Sequence, residues 1–202
     1  MNMIICKYLK KEKLPLMITI IGSMGSGKTT LTRIIHDYCF QDFKWYDLKD
    51  IDCIERIARR MKSPNNKYYL VFDDFSYKLL GRRRQEQEKL NKIFRVRHLL
   101  NSDEIVLVFV VHYLRSLAVF LRSAQVRILT SISEPEILMY SRDYLFTTSA
   151  LWDYLHYYTK NSNRYIILMH GLRSGEHIID VTIKMKEEDE GKEKKIDLKQ
   201  TT

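Results

Sequence analysis

Apolar runs of strand length alternate along this chain with segments in which apolar residues recur at helical spacing. The clearest runs cover residues 16–21, 68–72 and 105–111, and the last is apolar at every position. A continuous apolar run is typical of a strand buried on both faces. The alternation therefore predicts an α/β fold with a parallel sheet. Further strands are predicted at 43–48 and 126–132, helices at 30–38, 51–61, 90–100, 114–121, 134–140 and 151–158, and a closing hairpin from 164–169 and 177–184.

A glycine-rich loop separates the first predicted strand from the first predicted helix. Residues 22–29, GSMGSGKT, match the phosphate-binding loop G-x-x-x-x-G-K-[ST] at every fixed position. This arrangement aims backbone N–H groups and the positive end of a helix at an anion. We expect Lys28 to contact the β- and γ-phosphates of ATP and the Thr29 hydroxyl to bind Mg²⁺. The predicted nucleotide-binding residues are Gly22, Ser23, Met24, Gly25, Ser26, Gly27, Lys28, Thr29 and Thr30.

Two carboxylates, Asp73 and Asp74, follow the apolar run 68–72. Phosphoryl transfer needs a carboxylate at such a strand end to hold Mg²⁺, and we assign that role to Asp73, with a plain turn residue as the alternative. Asp74 stands where many nucleotide hydrolases carry a glutamate that polarises the attacking water, although Asp is one methylene shorter. Asp74 is therefore a candidate catalytic base, and a helix cap or a second magnesium ligand is the alternative.

His112 follows the strongest predicted strand. The carboxyl ends of strands line the ligand crevice in open α/β sheets, so His112 is a candidate contact for the γ-phosphate or the attacking water. A histidine that caps the next helix or binds a loop carbonyl fits the sequence equally well.

Positive charge is unevenly distributed along the chain. The formal net charge is +9, yet residues 184–202 carry six lysines and six acidic residues, so the whole excess belongs to residues 1–183. Such an excess fits a polyanionic partner, with nucleic acid as the first candidate. The basic segment, residues 82–97, holds seven Lys and Arg residues. Its arginines can stabilise a transferring phosphoryl group, bind a nucleic-acid backbone, or form a solvated helix face. They are Arg82, Arg83, Arg84, Arg95 and Arg97.

Cysteine content and hydropathy indicate the cellular compartment of the protein. The chain has three cysteines, an odd number without metal-ligand spacing, which favours reduced thiols over a disulfide framework. The longest apolar run is too short to cross a bilayer, and the N-terminus lacks the charge order of a signal peptide. We therefore expect a soluble cytoplasmic protein without membrane insertion. The expected organisation is one ATPase domain over residues 1–185 and a charged, disordered tail over 186–202.

The order of these motifs resembles the additional-strand class of P-loop ATPases. Residues 22–29, the strand before Asp73-Asp74 and the strand that ends at His112 carry this resemblance, which covers about residues 16–183. Within that class the chain is similar to the FtsK–HerA group, and in particular to the genome-packaging ATPases of archaeal and other membrane-containing DNA viruses. Members usually have Asp-Glu at the second motif and often Gln at the sensor position, where this chain has Asp-Asp and His.

Several expectations follow from the resemblance alone. It implies a three-layer RecA-like fold in which the strand ending at His112 lies between the loop strand and the Asp73 strand. It also implies ATP and Mg²⁺ as cofactors, a hexameric or pentameric ring, and an arginine supplied in trans. The implied activity is translocation of double-stranded DNA, with capsid or portal proteins as further partners and, for a viral chain, the host cytoplasm as the location.

Two other functions fit the same motifs. Residues 25–30, GSGKTT, suit a nucleoside or nucleotide kinase equally well, with Arg82–Arg84 as a lid that closes on phosphates. A nucleotide-gated regulatory or partitioning protein that binds a protein partner is the third alternative. The basic excess favours a DNA motor over a kinase.

Overall fold

In the computed structural model, eight strands of the described residues form one sheet in the order β2-β3-β4-β1-β5-β6-β7-β8. The strands are β1 (Leu16–Ile21), β2 (Lys44–Asp47), β3 (Tyr68–Phe72), β4 (Ile105–Val111), β5 (Val126–Leu129), β6 (Arg164–Gly171), β7 (Gly175–Met185) and β8 (Ile196–Lys199). The helices are α1 (Lys28–Cys39), α2 (Cys53–Met61), α3 (Arg84–Phe94) and α4 (Val96–Leu100). The structure describes residues 6, 9–61, 63–73, 75, 84–112, 124–130, 164–171, 175–185 and 196–199.

The first five strands form a parallel sheet with β1 near its middle. β1 pairs with β4 on one side and with β5 on the other, while β3 pairs with the far side of β4 and β2 with β3. β4 therefore lies between the strand that leads into the glycine loop and the strand that leads to Asp73. This position of β4 confirms the strand insertion that the resemblance implies.

Three antiparallel strands extend the sheet beyond β5. β6 pairs with β5, and β6 and β7 form the predicted hairpin, in register from Arg164↔Thr182 to Gly171↔Gly175. The expectation of a disordered tail is wrong for residues 196–199, which form β8 against β7. Ile196 and Leu198 alternate with charged residues there, a strand period that the high local charge obscured. The predicted helices at 114–121, 134–140 and 151–158 lie outside the described residues.

Apolar side chains pack on both faces of the parallel sheet. On one face, α1 buries Leu31 and Ile35 against alternate residues of β1, including Ile18. On the other face, residues of α2 and α4, including Ile54 and Leu100, pack against the opposite side of the same strands. Burial from both sides explains why all seven residues of β4 are apolar and buried. The predicted three-layer α/β architecture is confirmed for the described residues.

A disulfide joins Cys6 to Cys39, with the two Cα atoms 4.9 Å apart and both side chains buried. The expectation of reduced thiols is wrong for this pair, and Cys53 is the free cysteine of the described residues. The reason is tertiary. β1 runs toward the glycine loop and α1 runs back, so the last residue of α1 returns to the edge at which the chain enters β1. Neither cysteine count nor spacing carries that information.

The helix expected at 90–100 is interrupted. α3 ends at Phe94, and α4 begins at Val96 after Arg95, whose φ of −98° and ψ of 9° depart from helical values. α4 then ends at Asn101 in the left-handed conformation, with φ 53°. This break fixes where the later arginines of the basic segment lie.

Candidate nucleotide-binding site

The glycine loop connects β1 to α1 at the carboxyl edge of the parallel strands. Gly25 and Gly27 have φ of 75° and 78°, a region that residues with a Cβ rarely adopt. Gly27 precedes the first residue of α1, where no side chain of the described residues caps the helix and the first turn holds no acidic residue. The first N–H groups of α1 are therefore not covered by a capping side chain, as binding of an anion requires.

Lys28 is the first residue of α1, and its side chain is only 4% exposed. Its ammonium donates hydrogen bonds to the carbonyl oxygens of Gly22 at 2.8 Å and Ser23 at 2.6 Å. A buried ammonium needs such partners because desolvation of an uncompensated charge is costly. Phosphate oxygens are stronger acceptors, since they carry charge. The Lys28 ammonium is thus positioned within the loop to exchange neutral carbonyls for phosphates.

Thr29 and Asp73 supply two oxygen atoms at the same place. The Thr29 hydroxyl donates a hydrogen bond to Asp73 Oδ2 at 3.2 Å. Neighbouring ligands of an octahedral Mg²⁺ lie about 3 Å apart, given metal–oxygen distances of about 2.0–2.1 Å. The oxygen pair therefore fits Mg²⁺ in both chemistry and separation, and these are the two residues that sequence analysis assigns to the metal.

His112 lies at the same edge of the sheet. The Gly22 N–H donates to the carbonyl of Val111, the last residue of β4, at 3.2 Å. The next residue, His112, therefore follows β4 between the start of the glycine loop and the end of β3, and its side chain is partly exposed. The structure brings Lys28, Thr29, Asp73 and His112 to one edge, while the role of His112 in sensing nucleotide remains a prediction.

Other predicted site residues differ in how far the structure describes them. Met24 and Thr30 are exposed, at the tip of the loop and in the first turn of α1. Asp74, Arg82 and Arg83 lie outside the described residues, and Arg84 is described only as the first backbone position of α3. The catalytic roles assigned to these four residues remain predictions.

Arg95 and Arg97 lie at the opposite edge of the sheet. Arg97 Nε pairs with Asp103 Oδ1 at 3.4 Å, and Asp103 precedes the first residue of β4 by two positions. β4 and β1 are parallel and in register, so the start of β4 lies about 20 Å from the glycine loop. The structure therefore does not bring Arg95 or Arg97 to the site of their own chain. A role in the site of a neighbouring subunit remains a prediction.

The charge of the basic segment is partly compensated. Lys89 Nζ lies 2.9 Å from Asp50 Oδ2, and Lys92 Nζ lies 2.7 Å from Asp52 Oδ1. Hydrogen bonds to these carboxylates raise the pKa of both ammonium groups. With the Arg97 pair, three cations among the described residues of the segment face acidic partners. The local count of basic residues therefore overstates the positive charge that the segment offers to a polyanion.

Thr130, the residue after β5, contacts the loop although no sequence motif marks it. Its backbone N–H donates to the carbonyl of Ile21 at 2.8 Å, and its hydroxyl oxygen lies 2.7 Å from Ser26 Oγ. The parallel pairing of β5 with β1 brings it there. The signal that could have located it is its position at the carboxyl end of a strand beside β1.

The loop, the lysine within it and the Thr29–Asp73 oxygen pair define a P-loop NTPase, with an additional strand between the two motif strands. The chain belongs to the novel STAND NTPase 3 family, whose model matches residues 4–177. No match was found among curated proteins. Among the described residues, no helix is both long enough and apolar enough to cross a membrane.

Solved structures share the fold at low sequence identity. The genome packaging NTPase B204 from Sulfolobus turreted icosahedral virus 2, in complex with AMPPCP, aligns with a TM-score of 0.57 and 12% identity over 83% of this chain and 96% of that chain. The pCW3 conjugation coupling protein TcpA, with ATPγS, aligns with a TM-score of 0.51 and 14% identity over 81% of this chain and 59% of that chain. These similarities confirm, at the level of the fold, the resemblance to packaging ATPases.

Proposed function

We propose that the chain is a motor that hydrolyses Mg–ATP and moves double-stranded DNA, as in the packaging of a viral genome. The observation that carries this proposal is the position of β4 between β1 and β3. It gives the chain the strand order of the additional-strand ATPases, with one polar residue, His112, between the phosphate loop and the metal carboxylate. Membership in an NTPase family adds support for hydrolysis.

Each group of the proposed site has a separate part in the chemistry. The loop N–H groups and the Lys28 ammonium would bind the β- and γ-phosphates, and Thr29 and Asp73 would hold Mg²⁺. When bound, Mg²⁺ neutralises charge on these phosphates. Asp74 would orient the attacking water, with His112 beside the γ-phosphate. Each of these groups acts by position and charge, which is the main contribution of proteins to phosphoryl transfer.

Two observations support DNA as the polymer that is moved. The net charge of +9 falls entirely on residues 1–183, so the ATPase body carries it. The structural similarity extends over 96% of the chain of a viral genome packaging NTPase. A domain of this size is therefore found in a protein with that function. Because part of the basic segment is compensated, other exposed cations must contribute, and Arg59 and Arg60 at the end of α2 are candidates.

A ring is part of the proposal because the resemblance to packaging ATPases implies one, with an arginine supplied in trans. An arginine from the next subunit would complete the site, and capsid or portal proteins would hold the ring during packaging. A small-molecule kinase would need no such ring and would place an acceptor over the loop. The two proposals therefore differ in what the γ-phosphate is transferred to.

Displacement of a triplex-forming oligonucleotide from double-stranded DNA tests translocation directly. We expect displacement that requires hydrolysable ATP and Mg²⁺, and none with ATPγS or with the Lys28→Ala variant. A chain that hydrolyses ATP but leaves the triplex in place would contradict the motor and favour a nucleotide-gated regulatory protein. Phosphate transfer to a nucleoside or nucleotide acceptor would favour the kinase.

A further inference from the structure

We propose that Thr130 is a positioning residue that holds the two halves of the phosphate loop together through a chain of hydroxyl hydrogen bonds. The inference concerns nucleotide binding and so rests on that part of the proposed function, but it is independent of DNA. Thr130 is fully buried and follows β5 directly at the carboxyl edge of the sheet. It therefore reaches the loop from the side of β1 opposite to β4.

The direction of the hydrogen bonds follows from proton counting. The Thr130 hydroxyl donates its single proton to the carbonyl of Ile21, at 3.1 Å. The oxygen of Thr130 must then accept the proton of Ser26, whose Oγ lies 2.7 Å away. The resulting relay runs from Ser26, near the end of the loop, through Thr130 to Ile21, immediately before the loop.

Packing at Gly22 couples Thr130 to the first half of the loop as well. A Cβ at residue 22 would overlap the hydroxyl oxygen of Thr130 and approach Ser26 Oγ. Thr130 thus occupies the space that a side chain at position 22 would fill. The first glycine of the motif is required here for close approach to Thr130, a reason distinct from the positive φ of Gly25 and Gly27.

The relay raises the fraction of molecules whose loop is in the binding-competent arrangement before nucleotide arrives. The apparent affinity for nucleotide is the intrinsic affinity multiplied by the fraction of molecules whose loop is in the binding-competent conformation. Loss of a neutral hydrogen bond changes such an equilibrium by about three- to tenfold. Removal of the Thr130 hydroxyl should therefore raise the dissociation constant for nucleotide by up to about that factor. Turnover of the bound complex should change less, because Lys28 and Thr29 are untouched.

Thr130→Val and Thr130→Ser form the matched test, because Val keeps the shape without the hydroxyl and Ser keeps the hydroxyl. The Ile21 carbonyl retains the Thr130 N–H bond in both, so we expect both variants to fold. Calorimetric titration with Mg–ATPγS should give a Kd that is weaker by up to about tenfold for Thr130→Val and a wild-type Kd for Thr130→Ser. In steady-state kinetics of Thr130→Val, the KM for ATP should rise, while kcat should stay within about twofold of the wild-type value.

Ser26→Ala, at the other end of the relay, keeps the proposal testable if Thr130→Val unfolds, and a double-mutant cycle between the two adds a further test if both fold. Ser26 lies on the partly exposed loop, so its variant should fold, and it should weaken binding as Thr130→Val does. The double variant should be no weaker than either single variant, because both remove the same relay. The relay would be overturned by additive effects in the double variant or by a wild-type Kd for Thr130→Val or Ser26→Ala. It would also be overturned if Thr130→Ser lost as much affinity as Thr130→Val. A wild-type chain that binds no nucleotide would instead contradict the proposed function.

Discussion

Thr29, in the first turn of α1, and Asp73, at the end of β3, share a hydrogen bond of 3.2 Å although β4 lies between β1 and β3 in the sheet. The two residues are 44 positions apart in sequence, and the intervening segment contains the edge strand β2 and helix α2. The glycine loop and the start of α1 therefore extend past the end of β4 to reach β3. This arrangement brings His112, which follows β4, beside the predicted magnesium site.

Asp73 and Asp74 should differ in the step that they affect. Asp73→Asn keeps the shape and removes the charge, so Mg²⁺-dependent binding of ATPγS should weaken about tenfold or more, while binding in EDTA should not change. Asp74→Asn should keep binding and lose hydrolysis. Nucleotide titration beside steady-state phosphate release measures both.

Asp47→Asn is the matched control for charge. Asp47 is exposed at the carboxyl end of β2, at the same edge of the sheet as Asp73 but two strands further from β1 than β4 is. Loss of the Asp47 charge should leave both nucleotide binding and turnover within about twofold of the wild-type values. Wild-type magnesium dependence in Asp73→Asn would show that Asp73 is not a magnesium ligand. Normal turnover in Asp74→Asn would show that another residue orients the attacking water.

Lys28→Ala should abolish hydrolysis. The variant removes a positive charge from the loop that binds the β- and γ-phosphates, where such stabilisation is worth about 10²–10³ in rate. Lys13→Ala removes an equal charge from an exposed position before β1, at the far edge of the sheet, and should retain activity. Phosphate release by the two variants under saturating ATP distinguishes a site effect from a change in net charge.

Reduction of the Cys6–Cys39 disulfide should destabilise the protein. The bond closes a loop with a sequence separation of 33 residues that contains β1, the glycine loop and most of α1. Chain-entropy estimates for such a loop give about 3–4 kcal/mol. Dithiothreitol should lower the free energy of unfolding of the wild type by that amount and leave the Cys6→Ser/Cys39→Ser double variant unchanged. An equal response of both proteins would contradict the contribution of the bond.

One arginine of the basic segment should act across a subunit boundary. Mixing its alanine variant with Lys28→Ala should restore part of the activity, because some interfaces then contain an intact lysine and an intact arginine. Mixing Lys28→Ala with Asp73→Asn provides the control, since both defects lie in the same chain's half of the site and no interface regains a complete set. If none of the five arginines complements Lys28→Ala while subunits demonstrably exchange, a shared site is ruled out.

The parallel sheet and the loop were predictable because their signals are local. The strands at 16–21, 68–72 and 105–111 match β1, β3 and β4 residue for residue, since continuous apolar runs are typical of strands buried on both faces. The glycine loop needs a local conformation, and the sequence pattern encodes it directly. Lys28 and Thr29 therefore could be assigned before the structure was known.

The contacts between elements that sequence analysis missed depend on pairing between distant segments. Cys6 meets Cys39 because α1 runs antiparallel to β1, and Thr130 meets Ser26 because β5 pairs with β1. The charge of the basic segment was misjudged for a similar reason. The number of cations in the segment gives no information about their acidic partners Asp50 and Asp52. The residues that complete a site from other strands thus escape a search along the chain.

Phosphate release with and without double-stranded DNA is the most direct test of the motor. We expect Mg²⁺-dependent release that DNA stimulates at low salt, with little dependence on DNA sequence. The apparent affinity for DNA should fall steeply with salt, by about 0.9 log units per log unit of salt for each phosphate contacted. Release that ignores DNA, with no DNA binding at low salt and with phosphate transferred to a nucleoside or nucleotide instead, would contradict the motor and establish a kinase.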